Sequence, residues 1–335
     1  MAIRLGINGF GRIGRLVFRA AANRENVEVV AVNASYSPET LAHILKYDTV
    51  HGRYPGEVEA RPGLLVVDGR EVRLSAEREP ARIPWERAAV DNVIEATGKF
   101  RTREGAAQHF TGGVKKVIIT APAKGEDITI VYGINHRQYD RENHHVISTA
   151  SCTTNCLAPV AAVLDNEFGI VTGLITTVHA YTSSQRLLDN PYTDLRRARA
   201  AAGNIIPTST GAARAIGKVL PRLAGKLNGY AMRVPVLNVS LLDLVVNLER
   251  PATAAEINAA LRAAAEGSLK GVLGYTEEPL VSSDFVGDPH SSIVDGASTM
   301  VIDGMAKILA WYDNEWGTAN RVVDVAAMVG EYLRR

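Results

Sequence analysis

The segment Gly9-Phe10-Gly11-Arg12-Ile13-Gly14 constrains the fold more than any other in the chain. It follows an alternating apolar run, Ile3, Leu5 and Ile7, and opens a stretch with helical apolar spacing at Ile13, Leu16, Val17 and Ala20. A second apolar run, Val27 to Val32, comes next. In a strand, G-x-G-x-x-G, helix, strand order, one glycine makes a tight turn and one admits a pyrophosphate to the backbone. The third lets helix and strand pack closely, and the helix start offers free N–H groups to phosphate. The same spacing also serves purely structural turns, so the dinucleotide reading rests on the flanking strand and helix.

The rest of the first third keeps alternating. Short apolar runs at 93–96, 117–120 and 128–131 sit between helical or loop segments such as 101–109. That order calls for a parallel sheet of βαβ units. Asp68-Gly69, between the β-rich halves of 64–73, reads as a tight hairpin. Near residue 150 the pattern changes. The runs 174–178, 231–236 and 239–248 are rich in β-branched residues, 301–310 folds back through Asp303-Gly304, and helical spacing covers 154–166 and 254–265. The expected fold is α/β: an N-terminal Rossmann doubly wound parallel sheet (1–150 and 318–335), plus an α+β catalytic domain (151–317) with a mostly antiparallel sheet. Residues 191–204 are expected to form a long loop, and 319–333 a helix returning to the first domain.

Composition narrows the function classes. At 335 residues, 46% hydrophobic and 22% charged, the chain has enough apolar mass for about two folded domains, which excludes wholesale disorder. Lys+Arg 37 against Asp+Glu 36 leaves a net charge of +1, so no broad field attracts nucleic acid or acidic lipid. Two cysteines cannot staple a secreted scaffold. No uncharged apolar run reaches the roughly 18 residues of a membrane span, and Ile3 begins a strand where a leader would place an apolar segment. A soluble cytoplasmic protein is expected, with no membrane and no nucleic acid as its main partner.

One acid is missing. NAD-binding versions of the motif place Asp or Glu about 20 residues on, against the ribose hydroxyls. Here that count from Gly14 reaches Ala34, in Val32-Asn33-Ala34-Ser35, and no carboxylate comes before Glu39. A 2′-phosphate would meet no repulsion, and Asn33 and Ser35 are candidate donors to it. NADP use follows; NAD stays possible, because removing repulsion admits a phosphate without attracting one.

Ser151-Cys152-Thr153-Thr154-Asn155-Cys156 opens a helix, where free N–H groups and the dipole are expected to lower the thiol pKa of Cys152. The spacing leaves nucleophile and buried structural thiol both open. Two cysteines without a histidine at ligand spacing do not make a zinc site. His179 ends a strand and is either a general base or an ordinary hydrogen-bonded histidine, whereas His136, His144 and His145 read as solvated. Arg196-Arg197-Ala198-Arg199, Thr208-Ser209-Thr210-Gly211 and the lone Arg233 supply guanidinium forks, hydroxyls and N–H groups suited to oxyanions.

Asn8-Gly9-Phe10-Gly11-Arg12-Ile13-Gly14-Arg15, Lys46-Tyr47-Asp48-Thr49-Val50-His51-Gly52, Ala150-Ser151-Cys152-Thr153-Thr154-Asn155-Cys156 and Trp311-Tyr312-Asp313-Asn314-Glu315-Trp316-Gly317 together resemble the phosphorylating glyceraldehyde-3-phosphate dehydrogenase family, collinearly from end to end. The resemblance implies a homotetramer with Cys152 as nucleophile and His179 as its base, glyceraldehyde 3-phosphate and inorganic phosphate being the substrates. It assigns Thr182 and Arg233 to the substrate's C3 phosphate, and Ser151, Thr153, Arg197, Thr210 and Gly211 to the phosphate site beside the thiol. It assigns Gly9, Gly11, Gly14 and the N–H groups of Arg12 and Ile13 to the cofactor's pyrophosphate. Asn33, Ala34, Ser35, Arg78, Thr97 and Gly98 fall to the adenosine half, Thr120 to the cleft, and Asn314 to the nicotinamide. Four departures stand out. Ala34 replaces the Asp, and Asn190 the Leu, of NAD-specific members; both resemble the NADP-preferring gluconeogenic bacterial branch. Thr318 stands where most members place a Tyr near the nicotinamide, and Val236-Leu237 replaces Thr-Pro. Two other readings share these features. Erythrose-4-phosphate dehydrogenase uses the same scaffold, and a non-catalytic nucleotide- or RNA-binding scaffold would leave Cys152 inert.

Overall fold

The structure, a computed structural model, describes residues 2–334; Met1 and Arg335, the ends of the expected nucleotide-binding domain, lie outside the described residues. The chain divides into two compact units. One takes in the chain up to Ile130, His136–Ser151 and the segment from Thr318; the other takes in Val131–Asn135 and Cys152–Gly317. Ser151 thus groups with the first unit and Val131–Asn135 with the second.

The first unit is built on a nine-stranded sheet. Its order is Ile128–Thr129, Val146–Ser148, Lys116–Ile119, Asn92–Glu95, Ile3–Asn8, Val27–Asn33, Arg70–Ser75, Leu64–Val67, Val58–Arg61. The first seven strands run parallel and the last two antiparallel. The order reverses between Ile3–Asn8 and Asn92–Glu95, where Asn8 lies opposite Glu95. The carboxyl ends at such a reversal form the usual ligand crevice of α/β sheets. Asp68 and Gly69 both have positive φ, the type I′ geometry that matches the twist of the flanking strands.

The second unit has a seven-stranded sheet in the order Ile206–Ser209, Leu227–Val234, Ile170–Ala180, Ser240–Leu248, Met305–Tyr312, Ser292–Ile302, Leu273–Thr276. Four of its six pairings are antiparallel. The parallel pairing of Ile170–Ala180 with Leu227–Val234 puts His179 opposite Arg233. The helix Cys152–Phe168 is buried on nearly all sides, so its amino end is held by packing all round.

Several elements differ from expectation. Helix Pro38–Lys46, not among the expected elements, buries a short apolar face of Leu41, Ala42 and Leu45; Ser37 starts it by accepting from the Thr40 N–H, with proline in the first turn. The strands Val146–Ser148, Ile206–Ser209 and Leu273–Thr276 are too short to show a period. The last helix begins at Trp316 because Asp313 accepts from the N–H groups of Glu315 and Trp316. His144 and His145 are not simply solvated. Each is half-buried; the His144 ring accepts from the Asp140 N–H, and the His145 ring faces the buried Lys116 ammonium at 3.3 Å.

Candidate active site

At the sheet reversal of the first unit, a cavity of about 790 Å³ is lined by Gly9, Gly11, Asn33, Ala34, Ser35, Arg78 and Thr97, with Arg15, Glu77 and Lys99 among its charged walls. Its size and form suit part of a dinucleotide. Gly9 has φ +96°, and a Cβ on it would lie 2.8 Å from the Thr97 nitrogen. A Cβ on Gly14 would lie 2.0 Å from the Gly9 carbonyl oxygen, so this glycine sets how closely helix and turn approach. Gly11 has open space where its Cβ would be. Helix Arg12–Ala22 begins there with no side-chain cap and no acid in its first turn, and Arg12 and Ile13 are its first residues. These features fit a phosphorylated cofactor.

The cavity floor is a buried polar network. Asn33 donates from Nδ2 to Asn8 Oδ1 and to the Glu77 carbonyl, both at 2.8 Å, and accepts on Oδ1 from Ser75 and the Glu77 N–H. Its amide is fully engaged, which corrects the expectation that Asn33 donates to a 2′-phosphate: it builds the wall. Asn8 passes the chain on to Glu95 at 2.6 Å. Glu95 also accepts from the backbone and hydroxyl of Thr97 and from His109 Nε2. Trp85 donates to His109 Nδ1, which fixes the ring proton on Nε2. Sequence reading missed Asn8, Glu95 and His109 as part of this floor. Thr120 ties to the Glu95 carbonyl through both its N–H and its hydroxyl, and Gly98 is exposed with φ +70°.

In the second unit, Cys152 Sγ lies 3.4 Å from His179 Nε2. Register delivers the third member: Arg233 Nη1 is 2.6 Å from His179 Nδ1 and donates to the Ala180 carbonyl at 2.9 Å. Burial, then the Arg233 charge, pushes the imidazole pKa down to about 3, so the ring is neutral at pH 7. For Cys152 the balance differs from the expectation. Burial pushes the thiol up, against the Arg233 charge and hydrogen bonds at Thr153 and at its own backbone, which lower it. The helix-start effect is present but smaller than desolvation. Cys156 is fully buried near Ser292 and its thiol is pushed up by burial, which makes it a structural thiol. Among the described residues no three or more His, Cys, Asp or Glu converge as a metal site.

Tyr312, within a motif quoted for the family but given no site role, lies against this pair. Its hydroxyl bonds Thr153 at 3.0 Å and Thr177 at 2.7 Å, and the His179 ring meets its edge. Ser240 accepts from the Ala180 N–H and donates to Asn314. It follows Val239, whose φ of +68° is strained for a β-branched residue. Such strain marks a backbone held in place by its surroundings.

Of the phosphate-site candidates, Arg197 is held by Thr208 at 2.8 Å, with Asp194 at 3.7 Å. Thr210 accepts from the Ala212 N–H, and Gly211 precedes helix Ala212–Val219. Thr182 bonds Ser184, and Asn190 lies on the exposed loop with its N–H on the Ala198 carbonyl. Arg233 Nε is buried without a protein partner.

The sequence matches the family description "glyceraldehyde 3-phosphate dehydrogenase, NAD binding domain" over residues 3–103 and "glyceraldehyde 3-phosphate dehydrogenase, C-terminal domain" over 151–314. The chain is 61% identical to glyceraldehyde-3-phosphate dehydrogenase of Geobacillus stearothermophilus over 330 residues, 98% of each chain. It is 59% identical to glyceraldehyde-3-phosphate dehydrogenase 1 of Bacillus subtilis, covering 99% of each. With the Streptomyces coelicolor enzyme it shares 58% over 336 residues, 99% of this chain and 100% of that one. With a nucleotide cavity in one unit and a thiol–imidazole pair in the other, the chain belongs to the glyceraldehyde-3-phosphate dehydrogenase family, oxidoreductases that use a nicotinamide cofactor.

Proposed function

We propose that this enzyme converts D-glyceraldehyde 3-phosphate and inorganic phosphate to 1,3-bisphosphoglycerate, or the reverse, through an acyl group carried on Cys152, and that it uses NADP in preference to NAD. The observation that carries the chemistry is the Cys152–His179 contact of 3.4 Å with Arg233 on the far side of the ring. The Cys152 thiol gives its proton to His179 as it attacks the aldehyde carbon, and the alkoxide so formed takes that proton to complete the thiohemiacetal. The Cys152 N–H and the imidazole stabilise the oxyanion, and His179 then takes the hydroxyl proton. The nicotinamide, when bound, supplies the hydride acceptor that an aldehyde needs to become an acyl thioester. Arg197, Thr210 and the Gly211 N–H hold the inorganic phosphate that takes the acyl group from sulfur, with Ser151 and Thr153 beside the thiol, while Thr182 and Arg233 hold the C3 phosphate. Gly9, Gly11, Gly14 and the first N–H groups of helix Arg12–Ala22 hold the cofactor pyrophosphate, with Thr120 and Asn314 toward the nicotinamide.

NADP preference is supported by the cavity wall. Ala34 carries no charge, and Arg15, Arg78 and Lys99 outnumber Glu77. Ser35 is exposed and free to donate, and Asn190 stands on the exposed loop that in the family reaches a neighbouring adenosine pocket. A cytoplasmic homotetramer running in the reductive, gluconeogenic direction completes the proposal. Among the described residues no helix is long and apolar enough to cross a membrane.

Steady-state rates with each cofactor, in both directions and with or without inorganic phosphate, test it. Oxidation should require phosphate and favour NADP. Oxidation independent of phosphate would point instead to the erythrose-4-phosphate type of reaction, and a clear NAD preference would overturn the cofactor assignment.

A further inference from the structure

Strand Ile170–Ala180 pairs with Ser240–Leu248 as far as Val178 opposite Leu241, and there the ladder stops. Val239 ends it. With φ +68° it turns the chain out of the sheet, and its side chain is held in a buried cluster with Phe285 and Ile293. Beyond the ladder, the Ala180 N–H donates to the Ser240 hydroxyl at 3.1 Å instead of to a carbonyl. The same hydroxyl, 1% exposed, donates to Asn314 Oδ1 at 2.8 Å. Ala180 follows His179, and its carbonyl accepts from Arg233. One oxygen atom thus links the strand end that carries the imidazole to the amide assigned to the nicotinamide.

The Ser240 hydroxyl has a single proton, and Asn314 is the acceptor that takes it among the described contacts. With the Asn314 amide turned over, Nδ2 would face Ser240 and that proton would lie buried without an acceptor, a penalty the observed orientation avoids. The amide is therefore locked with Oδ1 toward Ser240 and Nδ2 at its other end. Its backbone is fixed as well. Ser240 stands opposite Tyr312 in the neighbouring strand, and the Asp313 carboxylate accepts from the N–H groups of Gly287, Glu315 and Trp316.

We propose that Ser240 is a positioning residue that decides which face of the nicotinamide ring meets the substrate on Cys152, by holding the Asn314 amide with its nitrogen toward the carboxamide oxygen. Nδ2 can only donate, so it pairs with that oxygen. When the ring turns over about its bond to the ribose, the carboxamide leaves this edge and a ring C–H takes its place. A locked N–H then opposes a C–H and is left unpaired, whereas an amide free to turn would offer Oδ1, which tolerates the C–H of a cationic ring. The lock at Ser240 therefore separates the two faces more sharply than Asn314 does alone.

The inference rests on the reading of Asn314 as the nicotinamide contact and deepens it. In the transfer, the carbon held on sulfur loses its hydrogen with the bonding pair to C4 of the ring. Its hydroxyl proton goes to His179 and the thioester carbonyl forms, so the carbon is oxidised and the ring reduced. The face of the ring turned toward the sulfur receives the hydrogen.

The experiment uses the full chain, D-glyceraldehyde 3-phosphate deuterated at C1, inorganic phosphate, and NADP and NAD in separate runs. Proton NMR of the reduced cofactor reads on which side of C4 the deuterium lies. Expected is a single diastereomer from the wild-type protein. With Ser240→Ala the ratio of the two should fall by at least about tenfold, the worth of one buried hydrogen bond. A binding arm, independent of turnover, records transferred nuclear Overhauser effects on the oxidised cofactor. The contact from ribose H1′ to ring H2 or to ring H6 identifies the bound orientation; one should dominate with the wild-type protein and both should appear with Ser240→Ala. Asn314→Asp keeps the bond from Ser240 but puts an acceptor where the donor stands, so it should relax the face choice in the same way. It decides the matter alone where Ser240→Ala does not fold. A residue that only stabilises the fold would lower turnover and leave the ratio of diastereomers unchanged. Both diastereomers from the wild-type protein, or the wild-type ratio kept in the folded variants, overturns the inference. Either can occur while the wild-type protein still oxidises the aldehyde in a phosphate-dependent reaction, so the functional reading is tested separately by that turnover.

Discussion

Among the described residues two histidines are buried, and they differ in the partners of their ring nitrogens. His109 in the first unit is fully enclosed; Trp85 donates to Nδ1 and Glu95 accepts from Nε2 at 3.0 Å, with the Asn8 amide nitrogen farther from Nε2 at 3.4 Å. His179 in the second unit is almost as buried, yet its Nδ1 is claimed by an acceptor and a donor at the same distance. Burial does not separate a structural histidine from a working one; completeness of its hydrogen bonding does. A satisfied network gains rigidity, and a contested one can exist in two forms.

Cys152→Ser provides the largest effect and checks that chemistry belongs to the contested pair. Dehydrogenase activity should fall about 10⁴-fold, because a serine hydroxyl at neutral pH is a far weaker nucleophile. Cofactor affinity, measured by fluorescence titration, should stay within about twofold. Substantial remaining turnover would remove covalent catalysis at this position.

Replacing each histidine sets the two sites directly against each other. His109→Ala leaves Trp85 and Glu95 with unpaired buried groups and a void, and should cost about 3–5 kcal/mol of folding stability. Turnover per folded molecule should be little changed. His179→Asn should do the opposite: activity falls 10²–10⁴-fold with little stability loss at pH 7. The His179 pKa is lowered on folding to about 3, so the unfolded chain binds a proton that the folded one does not, and stability declines as pH falls below about 6.5. His179→Asn therefore becomes more stable than the wild-type protein by about 2 kcal/mol near pH 5. Denaturant midpoints at both pH values decide this. Equal stability losses for both variants would dissolve the distinction.

Much of this was legible before any coordinates. The glycine turn announces the first sheet because its chemistry is local, and Cys152 stands out at a helix start, His179 at a strand end and Arg233 as a lone cation in an apolar run. What sequence could not show was register. Nothing in the order of residues says that His179 and Arg233 are strand neighbours, or that Tyr312 crosses over Cys152's helix start to reach Thr153 and Thr177. The same gap misled the reading of Asn33, whose amide looks free for a ligand in sequence but is consumed by four hydrogen bonds to Asn8, Ser75 and Glu77. The thiol was misread for a different reason. Helix starts are visible in sequence, but the desolvation that opposes them depends on what packs above.

Ala34→Asp sharpens the comparison within the first unit, by adding a charge beside Asn33, whose amide is already engaged. The new carboxylate should weaken NADP binding by about 2–3 kcal/mol, roughly 100-fold, through repulsion of the 2′-phosphate. It should improve NAD binding more modestly, by accepting from the ribose hydroxyls. Dissociation constants for both cofactors measure it, and equal weakening of both would mean that the site had deformed instead.

Asp48 offers the smallest effect and a control for the pH argument. Burial pushes its carboxyl up, but the His51 N–H and the Arg12 guanidinium outweigh that and hold it at about 2. A depressed carboxyl contributes stability above its unfolded pKa, near 3.8, and loses it as pH falls through about 2. Asp48→Asn should therefore cost about 1–2 kcal/mol at pH 7, a modest figure because Arg12 is partly open to solvent. The gap to the wild-type protein should close between about pH 4 and pH 2, below most of the window in which His179 acts. Urea midpoints across that range separate the two groups. A gap independent of pH would assign Asp48's contribution to its hydrogen bonds alone, and the charge pairing that distinguishes this settled site from the contested one would carry no weight.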